Sequence, residues 1–500
     1  MRNSAVIGLD LGTTVCKGAV LDETLGIVAQ ASRPYPLINI SGEQIEQDAD
    51  LWWQVCLEVL KQLVADPASS SYEIAGISVS TQGIAFVPVD RSLDPLRNAF
   101  SWLDIRASAQ MKRVLESFSE QQLFGITGKR AGSAYVLAKL LWFRENEPHL
   151  YARTHKILMT LDFILARLTG ELITDHTMAS GTLFYDIRKQ AWSDTIIREL
   201  DLDASKLPEI RWSGTEIGTL RKSVAEQLGL SENVRVAVGG QDQKVAALGA
   251  GIDLHRTTVS LGTAMAITQK SERPIVDEAM CIPCFTDLLR GRWVLEGSST
   301  GTSGLDWLKR ILFADTSHEQ LNRMAQEGEI KPLYFYPFFT GAGIPYFVRE
   351  ARGFLYGLDY SVSAGNLVRS VYEGVGYRIR EITEMMETIN NPIGELRLFG
   401  GGSKSPLWAQ IIADITAKPV ATLFTSEAGT LGAGILAGLG CGLYTSPEQA
   451  FEHLRITRVF EPLKAAVERY EELYKEYRKF EKSVLAAARA AEPLHHGGEQ

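Results

Sequence analysis

The sequence predicts an α/β protein built from two domains, and three observations carry that prediction. Its 500 residues exceed what one hydrophobic core organises. A strand–Gly-Thr–strand pattern occurs around Gly12 and again around Gly262. Elsewhere, short apolar runs ending at glycine corners alternate with helical patterns.

The elements follow in order. Val6, Ile7 and Leu9 precede Gly12-Thr13-Thr14, and Ala19, Val20 and Leu21 follow, which reads as a β-meander with a phosphate-sized turn at its first corner. A second turn, Asp22 to Gly26, leads to a third strand. Leu51, Val55, Val59 and Leu63 share one helical face, and Ile74 to Ser80 is a strand that ends in a Ser-Thr-Gln-Gly corner. Residues 105–230 alternate helical patterns with Gly and Pro breaks. The strand NVRVAVGG then runs into Gln241-Asp242-Gln243 and an Ala/Gly-rich helix. Thr257 to Ser260, the turn Leu261-Gly262-Thr263-Ala264 and Met265 to Thr268 repeat the opening. The repeat predicts a duplication with a boundary near residue 250: domains at 1–250 and 251–490, and a mobile polar tail at 491–500 that holds His495 and His496. Further helices are expected near 303–313 and 364–390, a strand-turn-helix at 395–415, and a charged surface helix from Leu463 to Ala491.

Composition narrows the function class. With 45% hydrophobic and 22% charged residues the chain is an ordinary globular protein, and a net charge of −9 argues against a surface built to neutralise nucleic-acid phosphates. The longest apolar runs are too short for a membrane span, and no signal-peptide pattern precedes the first strand. Five dispersed cysteines fit a reduced compartment, so a cytoplasmic location is expected. Cys281 and Cys284 form a CxxC without the further ligands that tetrahedral zinc requires, and read as structural thiols.

Four segments carry chemistry. In Asp10-Leu11-Gly12-Thr13-Thr14, a turn with glycine lets backbone N–H groups and threonine hydroxyls approach a phosphate chain, and the carboxylate beside it can hold hydrated magnesium. Lys17 either meets a phosphate or faces solvent. The second turn, Gly262-Thr263, adds a second possible phosphate clamp, and neither turn is a Walker loop. Asp242 follows a strand end, where a carboxylate either accepts a hydroxyl proton during phosphoryl transfer or caps the next helix. The glycines of FGGGSKSPLW either let a flat base lie on the backbone or make a tight corner.

Together these segments resemble the FGGY carbohydrate kinases of the actin, hexokinase and Hsp70 ATPase superfamily, from Gly8 to about Ala437. DLGTT with Lys17 is similar to the first phosphate motif, SLGTA to the second, and GGGSKSPLWAQIIAD with EAGTLGAG to the adenosine motif. LTGELITDHTMASGTLFYD and GLDYSVSAGNLVRSVYEG resemble family segments. Lys139-Leu140-Leu141-Trp142 fits another signature, in which Val136 replaces a small polar residue or proline. The resemblance implies an α/β fold of two ribonuclease-H-like (actin-like ATPase) domains flanking a cleft, an N-terminal sugar-binding domain and a C-terminal ATP-binding domain. It implies ATP and Mg2+, with Asp10 organising the metal and Asp242 as the base. Gly12, Thr13, Thr14, Lys17, Gly262 and Thr263 would meet phosphates, and Gly401, Gly402 and Ser403 would lie near adenosine. A homodimer is the partner that analogy implies.

The sugar is read by the resemblance at Gln82, Gly83, Trp102, Asp104, Arg106, Asp242 and Gln243. Gly83-Ile84 matches neither the Arg-Glu of glycerol kinases nor the Met-His of xylulokinases. Gly83 is expected to leave room for bulk at one end of the substrate. Asp104 would accept from adjacent hydroxyls, with Arg106 either fixing it or standing exposed. Trp102 either stacks on a sugar face or fills the core. The expected reaction is ATP-dependent phosphorylation of a ketopentose such as xylulose or ribulose, with other polyols, tetritols and gluconate behind it. A silent sugar sensor and an actin- or Hsp70-like ATPase are the readings from other classes.

Overall fold

The structure, a computed structural model, describes residues 3–490. The tail 491–500, with His495 and His496, lies outside the described residues. Contacts divide the chain into two units. The first comprises Met1–Gly251, Lys270–Leu295 and Glu427–Leu454, and the second Ile252–Gln269, Glu296–Ser426 and Arg455–Gln500. Neither is one continuous stretch.

In the first unit the strand Asn3–Leu11 is the centre of the sheet. It pairs antiparallel with Val15–Asp22 and parallel with Tyr72–Thr81. Ile27–Pro34 extends one side, and Arg235–Ala237 followed by Glu216–Thr219 extends the other. Both central strands are buried along most of their length, because helices cover both faces. Successive residues point to opposite faces, and Gly18, opposite Leu9, backs onto Val59 and Leu63 of the helix Ala49–Ala65. Gly8, one residue earlier, backs onto the helix Ala428–Cys441.

That second contact is backbone against backbone. A Cβ on Gly8 would stand 2.1 Å from the Thr430 carbonyl oxygen. The same helix crosses Asp242–Gly249 at equal closeness: a Cβ on Gly249 would stand 2.0 Å from Ala428 O, and one on Gly432 1.8 Å from Val245 O. Only glycine permits such spacing, so a segment more than 400 positions down the chain belongs to the first unit.

The second unit repeats the strand plan. Arg256–Leu261 runs antiparallel to Ala264–Ser271 and parallel to Glu395–Phe399, which is parallel to Val420–Leu423, and Ile456–Phe460 closes the order antiparallel. The helices Ala364–Ile389 and Lys464–Ala490 both pack on Pro406–Thr416. The charged C-terminal helix buries Tyr470, Leu473, Tyr477 and Leu485 on one side, as its amphipathic pattern requires. All five cysteines are free thiols, with Cys281 Sγ donating to Ala279 O at 3.3 Å.

Substituting Gly432→Ala inserts a methyl where no space exists, and the two helices must separate. Urea unfolding is expected to show a loss of roughly 3 kcal/mol, the upper part of the range for overpacked cores. An unchanged midpoint would mean the helices do not pack as described.

Candidate active site

Three strand ends lie level in the first unit. Asp10 is opposite Ser80, and Gly240 is opposite Ser80 on the other side. Ligands of open α/β sheets gather beyond the carboxyl ends of such strands. Ser80 Oγ donates to Asp10 Oδ1 at 2.7 Å, and burial raises the Asp10 pKa despite that bond and the nearby Lys17. The helix Ala428–Cys441 starts against the same carboxylate, since a Cβ on Gly429 would lie 2.6 Å from Asp10 Oδ2. Lys17, cross-strand from Asp10, gives its ammonium to Glu427 at 2.7 Å. The turn between is closed by Gly12 N–H donating to Val15 O at 3.0 Å, and Thr14 is exposed at its tip.

Asp242 opens the helix Asp242–Gly249. The N-cap is Gln241 and not Asp242, so the simple capping role does not describe this carboxylate. Its Oδ1 accepts the Gln243 N–H at 2.7 Å and the side-chain amide of Gln241. Gln241 is paired with Thr81 in the sheet and donates its N–H to Thr177 Oγ1 at 2.9 Å. Thr177 in turn donates to Asp175, which also accepts from Met178 N and Ser213 Oγ; burial outweighs these bonds and pushes Asp175 up to about 6.

The corner Gln82-Gly83-Ile84 sits beside Gln241. The space expected next to Gly83 is filled: a Cβ there would be 2.9 Å from Gln241 Cγ. Ile84 has φ +53, a left-handed conformation that a β-branched residue adopts only under constraint. Gln82 is buried, donating its amide to Gln47 Oε1 at 2.9 Å, and Gln47 donates to Thr13 O at 2.9 Å.

Trp102 is 40% exposed and donates Nε1–H to Thr13 Oγ1 at 2.9 Å, which joins its loop to the first Gly-Thr turn. Asp104 follows in the same loop. It is 0% exposed, with Oδ2 accepting Ile45 N–H at 2.9 Å and Oδ1 accepting Arg106 N–H at 3.2 Å. Arg106 Nε and Nη2 also bond it, the latter at 2.7 Å, so the paired reading of Arg106 is the observed one. Arg106 reaches Glu46 at 2.8 Å, and Glu46 also holds Arg97. A carboxylate enclosed by these donors fixes the loop. Lys139 closes the loop from below, donating to Ser101 O at 2.6 Å, and burial pulls its pKa down to about 7. Motif matching alone found Lys139 but not its partner; Ser80, Thr177 and Gln241 stood inside segments the sequence marked but had no role assigned, and Gln47 stood in none.

In the second unit the carbonyls of Gly262 and Thr263 accept Thr302 N at 2.7 Å and Gly301 N at 3.1 Å, which leaves the Thr263 side chain exposed at the turn. Gly400 has φ +89, and Gly401 is bare: a Cβ there would meet nothing within 4 Å. Gly401 and Gly402 line a cavity of about 320 Å3 with Asp306, His318, Asn322 and Lys404. Its base is the stacked pair Tyr372 and Trp408, with ring centroids 4.2 Å apart. Ser403 Oγ donates to Gly400 O at 2.7 Å and so braces this corner. EAGTLGAG packs in the first unit, where Gly429 backs onto the Asp10 carboxylate and Gly432 onto the Val245 carbonyl.

Residues 5–249 match the FGGY family of carbohydrate kinases, N-terminal domain, and residues 257–441 match the family's C-terminal domain. A xylulose kinase of Bacillus subtilis (strain 168) is 31% identical over 95% of this chain and 96% of its own. The crystal structures of a ligand-bound xylulose kinase and of a gluconate kinase, both from Lactobacillus acidophilus, superpose with a TM-score of 0.90 at 25% identity. They cover 97% and 98% of this chain and 99% of their own. Likeness of this extent, spanning both halves, makes the chain a member of the FGGY family of carbohydrate kinases and an ATP-dependent sugar phosphotransferase.

Proposed function

We propose that this kinase phosphorylates a ketopentose, xylulose first, with Asp242 as the base. The observation that carries the reading is the position of Asp242. It stands one residue beyond the strand Gly240–Gln241, two beyond the Gly240 that is level with Asp10, next to the Gln241 that packs on Gly83, with two donors holding one of its oxygens. As the sugar oxygen attacks the γ-phosphorus, Asp242 takes its proton, the bond from the β–γ bridging oxygen to phosphorus breaks, and ADP departs. Thr13 and Thr14 present hydroxyl and backbone groups to the phosphates from the first turn, and Gly262 and Thr263 do so from the second. Gly401 and Gly402, with the corner braced by Ser403, form the wall for the adenosine. The likeness to xylulose kinases supports the ketopentose reading, and the equal likeness to a gluconate kinase favours an aldonate as the second reading.

Magnesium fits the Asp10 site. A half-buried carboxylate with one oxygen already bonded suits a metal held mainly by water and substrate phosphates. When bound, Mg2+ would neutralise charge developing on the phosphates. Lys17, engaged with Glu427, reaches a phosphate by exchanging that partner.

Trp102 offers its exposed indole face to the sugar, while Asp104, Arg106 and Lys139 hold the loop that presents it. Gln82 and Gly83 shape the adjoining wall, and Gln243 follows the base on the same helix. Loops held from below in this way preserve orientation, on which phosphoryl transfer depends.

Asp242→Asn is expected to abolish sugar-dependent ADP release while ATP still binds, checked by a coupled assay and calorimetry; full turnover in the variant would remove Asp242 from the role of base. Asp104→Ala leaves the buried Arg106 guanidinium with Glu46 alone, a carboxylate it shares with Arg97, and should cost about 3–5 kcal/mol in urea unfolding. Trp102→Ala should instead raise the sugar KM with stability kept. A screen of pentuloses, hexuloses, polyols and aldonates should give the highest kcat/KM with xylulose, and an aldonate leading the series would select the second reading.

A further inference from the structure

Gln241 stands between two parts of the site that the sequence treats as separate. Its backbone is fixed on both sides, by pairing with Thr81 and by its N–H bond to Thr177. Its side chain therefore has one course, past Gly83 to Asp242. A Cβ on Gly83 would lie 2.9 Å from Gln241 Cγ and 3.2 Å from Nε2, so the glycine is what admits the side chain. At the far end the Nε2 amide donates to Asp242 Oδ1. The amide oxygen, Oε1, is buried and has no hydrogen-bond partner among the described residues. A buried amide that leaves its acceptor unsatisfied is disfavoured unless the donor side is held by a strong contact, and a bond to a carboxylate is such a contact.

We propose that Gln241 is the positioning residue for Asp242, and that Gly83 is required to let it reach the carboxylate. This rests on Asp242 being the base. Two donors on Oδ1, from Gln241 and from Gln243 N, fix the plane of the carboxylate and so the direction of proton transfer. Hydrogen bonds of this kind favour the charged form of a carboxylate. Other charged or titratable groups around this helix start are Asp10, level with Gly240 across Ser80, Asp175 and His176 behind Thr177, Lys244 one residue past Gln243, and Glu427 at the head of the helix crossing it. They stay in place when the amide is removed, so the effect of the amide alone is readable. Because the amide borders the sugar-reading corner, a substitution at position 83 changes the base as well as the pocket wall.

The test compares Gln241→Leu, which keeps bulk but removes the donor, with Gly83→Ala, which displaces the donor from the other side. kcat is measured against pH on the best sugar of the screen, with thermal unfolding of each variant alongside. Losing a hydrogen bond to a charged group should lower kcat roughly ten- to hundredfold and shift the acidic limb to higher pH by about one unit, with the ATP KM within about twofold. Gly83→Ala should move the limb in the same direction, and the double variant should add little to either. An unshifted limb in both folded variants, or strictly additive losses, overturns the positioning role. Should Gln241→Leu fail to fold, the pH profile of Gly83→Ala decides alone. Asp242→Asn run beside them separates the two ideas: an inactive Asp242→Asn with unshifted Gln241 and Gly83 variants refutes only the positioning role, whereas an active one refutes the base itself.

Discussion

The first unit depends on one close approach. The helix Ala428–Cys441 lies with its backbone directly on the strand that carries Asp10 and on the helix that begins with Asp242, through Gly8, Gly249 and Gly432. A side chain at any of these three positions would hold the elements apart by at least the width of a methyl group. The contact does more than fill the core. It sets the start of one helix against the Asp10 carboxylate and fixes the axis of another whose first residue is Asp242. Two carboxylates from distant parts of the chain are thereby referred to one rigid frame.

A second constraint is electrostatic. Asp104, Arg106, Glu46 and Arg97 form a buried chain of ion pairs beneath the Trp102 loop, with the Phe100 ring 5.0 Å from the Arg106 guanidinium carbon and 4.1 Å from that of Arg97. Burial alone would lower the Arg106 pKa, but Asp104 and Glu46 outweigh it and the pKa is raised. Such a network adds little net stability compared with an apolar core, yet it holds one geometry because every broken pair leaves a buried charge. Its product is an exposed indole at a fixed height beside the first Gly-Thr turn.

The fold was largely legible because it rests on local patterns. Apolar runs ended by glycine corners marked the strands, and the recurrence of Gly-Thr turns marked two sheets of one plan. Candidate residues at motif positions were legible too: Asp10, Asp242 and Gly401 each sit at a strand end or helix start, where the motif itself dictates position. What escaped was partnership. Gly83 read as empty space, but Gln241 fills it, a contact between residues 158 positions apart. Asp104 read as open to a ligand, but its environment is set by Ile45, Glu46 and Arg106 from two separate segments.

The sequence by itself determined the α/β class, the duplicated strand plan and the chemistry available at its motifs, because side-chain type, period and glycine placement act over a few residues. Only the tertiary structure decided which unit the glycine-rich segment 428–441 joins, which carboxylate is enclosed and which amide reaches Asp242. Those outcomes depend on backbone separations of a few ångströms between segments far apart in the chain, and no local pattern encodes such a distance.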